Sequence, residues 1–272
     1  MYARANAAML TSAEIEACIK ASILGEVYTT PKPGLVDRRD SGAHRDMNVY
    51  TFERSAAAIT PYLTKMFFEG YFWKNSLQNL FPKIRKTGIF AEKTMFRATD
   101  QVNTHKGLIF TMGILSACAG QCYAKIRRFD TSKIFAYAEE MTKDALEADF
   151  LEMSQRDPVT HGEILFQKYG ERGIRGEAQK GFPIIRNIAL PLMRQYRGIG
   201  LDENGSNINV LLRIMMELND TNVWSRGSRD DVKWIQEQAE KIWKPGGAFF
   251  ETGMKKIEKL NRECIRRNLS PG

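Results

Sequence analysis

The chain has 272 residues, 43% of them hydrophobic, with 40 Lys and Arg against 32 Asp and Glu for a formal charge of +8. That apolar content excludes a disordered chain and is enough to build the core of one large domain. The positive balance points to anionic partners such as nucleotides, nucleic acid or an acidic protein, with a solvated basic surface as the alternative. Cys18, Cys118, Cys122 and Cys264 lie in neither a zinc spacing nor a disulfide framework, so reduced thiols in a cytoplasmic protein are expected.

The opening MYARANAAML is too short and too weakly apolar for a signal peptide. Ile15, Ile19, Ile23 and Val27 recur every fourth residue and predict an amphipathic helix over Ala13–Tyr28, with its cap near Ser12. Pro31 and Pro33 then stop the helix, and Gly34 supplies a turn. Further helices are predicted at Val49–Glu69 (with a kink at Pro61), His105–Ile126, Ser132–Met153, Phe182–Tyr196, Asn207–Asn219, Arg229–Ile242 and Ala248–Arg267. Gly107–Ala124 carries no charge over eighteen residues, a length that could span a membrane. His105 and Lys106 open it and it has no partner span, so a buried central helix is expected instead. Strand and hairpin signals are poor. The prediction is an all-α fold, with residues 1–272 forming a single catalytic domain.

Four polar segments interrupt these helices. In TTPKPGLVDRRDSGAHRDM, the prolines present Lys32 from a stiff turn, and Asp37 and Asp46 could hold Mg2+ through oxygen. Alternatively, these aspartates cap helices and pair with the neighbouring arginines. In QVNTHKG, Asn103 or Thr104 could cap the uncharged helix, whose free N–H groups with Lys106 would suit an anion. Plain capping is the competing reading. In THGEILFQKYGERGIRGEAQKGFP, Glu163 and Glu177 are candidate bases or metal ligands, and Arg175 is a candidate phosphate contact. In NDTNVWSRG, Asp220 and Asn222 offer oxygen ligands ahead of Arg226, or a cap and turn. The chain's three histidines, His44, His105 and His161, all fall in these segments, where imidazole could bind phosphate or move a proton.

TPKPGLVD with SGAHRDM, then NTHKG, then THGE with GIRGEA and GFP, then NDTN, resemble the triphosphoribosyl-dephospho-CoA synthase family in the same order over roughly residues 20–228. The resemblance implies a helical fold and an unusual transfer. ATP keeps its triphosphate and loses adenine while the 2′-hydroxyl of 3′-dephospho-CoA attacks the ribose C1′ in a single inverting displacement. The product serves the acyl carrier protein of citrate lyase or malonate decarboxylase. Such a step needs a base for the hydroxyl, a hydrogen bond or proton for the purine, and clamped phosphates. It would assign Glu163 or Glu177 as base with His161 beside it. Lys32, His44, Asn103, His105, Lys106, Arg175 and Arg226 would contact the nucleotide phosphates, and Asp37, Asp46 and Asp220 would hold Mg2+.

Two departures accompany the resemblance. Trp224 and Ser225 stand where the family pattern has a histidine before Arg-Gly, and the chain ends NLSPG where that pattern continues into a further helix, so a missing C-terminal helix is expected. No membrane or nucleic-acid role is expected, and a homodimer is one expectation for assembly. Two alternatives remain: an ADP-ribosyl hydrolase-like helical enzyme, and a nucleic-acid-binding module prompted by KIRRF at 125–129 and the basic run Lys255–Arg267.

Overall fold

The structure is a computed structural model that describes residues 10–271. Its described residues contain helices and no strand, as the sequence predicts. The first helix, α1 (Ser12–Tyr28), is capped one residue earlier than predicted. Thr11 accepts from the Glu14 N–H while the Glu14 carboxylate accepts from the Thr11 N–H. Its stripe of Ile15, Ile19, Ile23 and Val27 is buried.

Next come α2 (Val49–Tyr71), which continues through Pro61, α3 (Leu80–Ala98), α4 (Lys106–Ile126) and α5 (Thr131–Ser154). The predicted helices missed α3. Its Pro82 falls in the first turn, where the absent N–H would have had no partner, and Gly88 interrupts its middle. Even so, Leu80, Ile84, Thr87, Ala91 and Met95 form a buried stripe at helical spacing.

The short helices α6 (His161–Tyr169) and α7 (Gly173–Gln179) occupy the segment read as a chemical cluster. The predicted helix Phe182–Tyr196 begins at residue 183, passes through a π-helical stretch at Ile185–Ala189 and ends as α8 (Leu190–Gly198). The last helices are α9 (Glu203–Glu217), α10 (Thr221–Arg226), α11 (Arg229–Trp243) and α12 (Glu251–Arg267).

Two apolar clusters organise these helices. The larger joins α1 to α5 with Ala178 and Phe182, and the smaller joins α9 to α12 with Leu269. Within the first, α2 and α4 approach so closely that a Cβ on Gly70 would lie 1.9 Å from the Ala117 carbonyl oxygen, and one on Gly120 1.9 Å from that of Phe67. This crossing explains the small residues of the uncharged segment. α4 is long and apolar enough to cross a membrane, but half of its apolar window is buried inside the fold between its neighbours. Residues 29–47, which leave α1 in the larger cluster, bond to helices of the smaller one.

Candidate active site

The segment Thr29–Met47 is organised by Asp37, which is 1% exposed. One carboxylate oxygen accepts from the Thr30 hydroxyl and the Lys32 N–H, both at 2.9 Å, and the other from the Arg39 and Asp40 N–H groups at 2.6 and 3.1 Å. Four donors on one carboxylate hold the turn around Pro31 and Pro33 and fix where Lys32 emerges. The Lys32 side chain is 3% exposed and its ammonium pairs with the half-exposed Glu26 carboxylate.

Helix asparagines bolt the segment down. Asn204 on α9 exchanges two hydrogen bonds with the Thr30 backbone at 2.9 and 2.8 Å, and Asn207 donates to the Thr29 hydroxyl at 3.0 Å. On α12, Asn261 accepts from the Gly34 N–H at 2.8 Å and donates to Asp40 at 3.0 Å. Gly34 has φ +74°, and a Cβ there would lie 2.3 Å from the Leu269 carbonyl oxygen. None of these asparagines stood out in the sequence, although asparagine is a poor helix-interior residue and three of them in helices were a signal of sorts.

His44 joins three distant parts of the chain. Its Nε2 lies 2.8 Å from the Ser270 hydroxyl, and Arg226 donates to the Ala43 carbonyl at 3.1 Å and approaches His44 Nδ1 at 3.3 Å. A guanidinium only donates, so Nδ1 accepts and the ring proton sits on Nε2. Burial and the Arg226 charge lower the His44 pKa against the opposing pull of Asp46, 3.8 Å away. His44 is therefore a neutral donor that ties the loop to α10 and to the chain's last described residues.

His105 precedes α4 and is 3% exposed. Its Nδ1 lies 2.6 Å from the Ser55 hydroxyl of α2, and its ring meets the Phe52 ring edge-on at 4.8 Å. Burial, and then the Lys32 charge, pull its pKa down to about 4. Its Nε2 is buried with no protein partner. Asn103 accepts from the Lys106 N–H at 3.3 Å, as expected of a cap, whereas the Lys106 ammonium turns to Glu92 on α3 at 3.5 Å.

The two candidate glutamates differ sharply. Glu163, in the first turn of α6 behind its Thr160 cap, accepts two hydrogen bonds from Arg156 at 2.9 and 3.1 Å and one from the Val159 N–H at 2.8 Å. The Arg156 bonds, then the Val159 N–H, hold its pKa at about 2. A carboxylate so stabilised is a poor proton acceptor. Glu177 on α7 accepts from the Ile184 N–H at 3.1 Å, and burial raises its pKa against the weaker opposing pull of that N–H, Lys180 and Arg186. His161 is exposed on the first turn of α6. Arg175 contacts the Met153 sulfur at 2.9 Å, and its charge reaches Glu163.

α10 links the two groups. Asp220 caps it by accepting from the Asn222 and Val223 N–H groups at 2.8 and 3.1 Å. Trp224, the departure noted in the sequence, packs its ring at a tilt against Tyr169 of α6 with centroids 4.8 Å apart, while Arg226 reaches the loop. The expected metal grouping is not found: among the described residues no three His, Cys, Asp or Glu side chains are placed to hold a metal ion. Asp37 is engaged with four donors and Asp220 with a helix end, so the two do not form a Mg2+ cage with Asp46. A groove of about 850 Å³ lies between α11 and α12, lined by residues such as Trp234, Lys244 and Lys259, and none of the candidate residues lines it. Its lysines are exposed, and Lys241 and Lys244 pair with glutamates on their own helix, so the motif segments are the better guide to the chemistry.

The family model described as "CitG: ATP:dephospho-CoA triphosphoribosyl transferase" matches residues 12–272. The chain belongs to this family. Among its relatives, the "Probable 2-(5''-triphosphoribosyl)-3'-dephosphocoenzyme-A synthase 1" of Salmonella typhimurium is 37% identical over 267 residues, covering 97% of this chain and 87% of the relative. The 2-(5''-triphosphoribosyl)-3'-dephosphocoenzyme-A synthases of Escherichia fergusonii and Klebsiella pneumoniae are 34% and 33% identical, each over 97% of this chain and 88% and 87% of their own lengths. No solved structure matches. Within the transferase family's matched span, the loop Thr29–Met47, the α4 entrance, α6, α7, the Gly181–Pro183 turn after α7, and the entrance of α10 carry the motifs on which the resemblance rested.

Proposed function

We propose that this chain transfers the triphosphoribosyl group of ATP to 3′-dephospho-CoA and releases adenine. The family and the relatives' names support that activity over nearly the whole chain. The observation that carries the site is the burial of a lysine on the PKPG turn and of a histidine with an unmatched ring nitrogen at the α4 entrance, with Arg226 pinning the loop. Cationic and neutral donors suit a polyphosphate, which would compete with Glu26 for Lys32 and with Glu92 for Lys106.

Glu177 is the proposed base. The acceptor hydroxyl gives its proton to the Glu177 carboxylate as its oxygen bonds to C1′. The C1′–N bond to adenine breaks with its electron pair moving to the purine, which takes up a proton. His161 is the proposed donor toward the leaving purine, and Lys32, His105, Arg175 and Arg226 are the proposed phosphate contacts, with His44 holding Arg226 and Asn103 and Lys106 flanking the α4 entrance. Glu163 is proposed as a strut for α6. Among the described residues the donor set does not fit a protein-built Mg2+ cage.

Residues 1–272 are proposed to act as one catalytic domain, since the loop bonds α9 and α12 while its lysine acts on His105 of the other cluster. The four cysteines are all free, which supports a cytoplasmic location. The product is proposed to supply the prosthetic group of a carrier protein in a citrate lyase or malonate decarboxylase system. Incubating the chain with ATP and dephospho-CoA, and following free adenine and the mass of the new nucleotide, tests the reading. Intact ATP, or release of ADP-ribose from a modified protein instead, would reject it.

A further inference from the structure

His105 is held by more than burial. Thr104 donates its hydroxyl hydrogen to the Ser55 oxygen at 2.7 Å, and the same Ser55 oxygen lies 2.6 Å from His105 Nδ1. A serine hydroxyl carries one hydrogen. No other acceptor takes it among the described residues, so the Ser55 hydrogen points at Nδ1, which must then be the unprotonated ring nitrogen. The ring is neutral, so its one proton sits on Nε2, the buried atom with no protein partner. The unmatched group is thus an N–H donor. Buried donors in folded proteins almost always find an acceptor. The Lys32 ammonium, although paired with Glu26, is near enough to lower the His105 pKa and so favours a negatively charged acceptor. The Phe52 ring packs edge-on against the imidazole.

We infer that Ser55, backed by Thr104, is a positioning residue that holds His105 as the Nε2–H tautomer, so that this N–H and the Lys32 ammonium together receive an anionic phosphate oxygen of the substrate. The transferase reading enters only in naming the phosphate carrier, ATP or dephospho-CoA. The seat itself follows from the hydrogen-bond geometry. A neutral imidazole is the suitable partner here because an imidazolium beside a buried ammonium would be repelled by it.

The chain has three histidines, so long-range 1H–15N spectra of the imidazoles can resolve His105. At pH 7 the wild type is expected to show the Nε2–H tautomer for His105, and tripolyphosphate, ATP or dephospho-CoA to shift its Nε2 resonance. Whichever of the two nucleotides produces the shift is the source of the seated phosphate. Ser55→Ala and Thr104→Val are expected to mix the tautomers and to raise KM for that nucleotide about tenfold, one hydrogen bond's worth, with kcat changed less. The wild-type spectrum needs no variant, and Thr104→Val covers the case in which Ser55→Ala fails to fold. A protonated Nδ1 or an imidazolium in the wild type overturns the proposal. So does an Nε2 signal indifferent to both nucleotides when both are bound. If tripolyphosphate shifts Nε2 and no adenine is ever released, the seat stands and the transferase reading falls.

Discussion

Replacing Glu177 by Gln separates chemistry from stability. Burial raises the Glu177 pKa, so the folded chain favours the protonated carboxyl more than the unfolded chain does. Its contribution to stability falls as pH rises through the carboxylate range, and at pH 7 the ionised, half-buried group is a net burden. Gln removes the charge and keeps an oxygen for the Ile184 N–H, now accepted at 3.1 Å. Glu177→Gln is therefore expected to melt at or above the wild-type temperature while losing 10²–10⁴-fold in adenine release, the usual contribution of a general base, or about 3–5 kcal/mol of barrier. Glu163→Gln should do the reverse. Gln can keep the two hydrogen bonds that Oε2 accepts, from Arg156 and the Val159 N–H, but it loses the third and turns an NH2 group toward the guanidinium. Lost bonds to charged groups are worth about 1.5–3 kcal/mol each, but Arg156 is 38% exposed and can rehydrate. A net loss of about 2 kcal/mol follows, or about 4–6 °C in Tm, with kcat changed only modestly. Differential scanning fluorimetry and chromatographic adenine assays on both variants check this. A Glu177→Gln enzyme with near wild-type turnover, beside a folded and inactive Glu163→Gln, would refute the assignment.

Acid should weaken the fold through His105, whose pKa drops from 6.5 to about 4 on folding. The stability held above pH 6.5 is lost as pH falls toward 4, about 2 kcal/mol of it by pH 5, and urea midpoints of the wild type should show a slope there that His105→Gln flattens. Gly34→Ala should cost about 2 kcal/mol or more, because it adds left-handed strain at φ +74° and a Cβ 2.3 Å from the Leu269 oxygen; a urea midpoint equal to the wild type would contradict this. In the native chain a thiol reagent should titrate one cysteine quickly, the exposed Cys18, and reach the buried Cys118, Cys122 and Cys264 only on unfolding.

Local patterns were readable where one element decides its own fate. The four-residue stripe of α1 and the Pro and Gly punctuation after it both appear as the sequence suggests. α3 was hidden because proline and glycine carry different meanings in the first turn, in mid-helix and in a loop. Asp37 and Asp220 illustrate a deeper limit. A carboxylate that could take Mg2+ can equally accept backbone N–H groups, and only the fold tells the two apart. Here both organise a turn or a helix end. Glu163 and Glu177 were indistinguishable in sequence, since the deciding partners, Arg156 and the Ile184 N–H, are brought up by helix packing. Ser55 gave no chemical signal, and Asn204, Asn207 and Asn261 gave only that of asparagine placed in helices, because each acts on a residue far away in the chain.

In the proposed site, neutral histidines would let the fold attract a polyanion without repelling itself. Lys32 is buried, and Arg226 stands beside His44. Protonated imidazoles in those positions would add like charges to like, raising the free energy of the fold before any substrate arrived. Burial and the neighbouring cations instead lower both the His44 and the His105 pKa, leaving each with one N–H to donate and no charge to oppose. His44 directs its N–H to Ser270 and thereby steadies the loop, whereas the His105 N–H has no protein acceptor. The same chemical state thus serves two ends. In one the donor is used internally to fix geometry. In the other it is left unmatched inside the fold, near the Lys32 ammonium that now pairs with Glu26, and a phosphate oxygen admitted there would gain a hydrogen bond and compete with Glu26 for the ammonium.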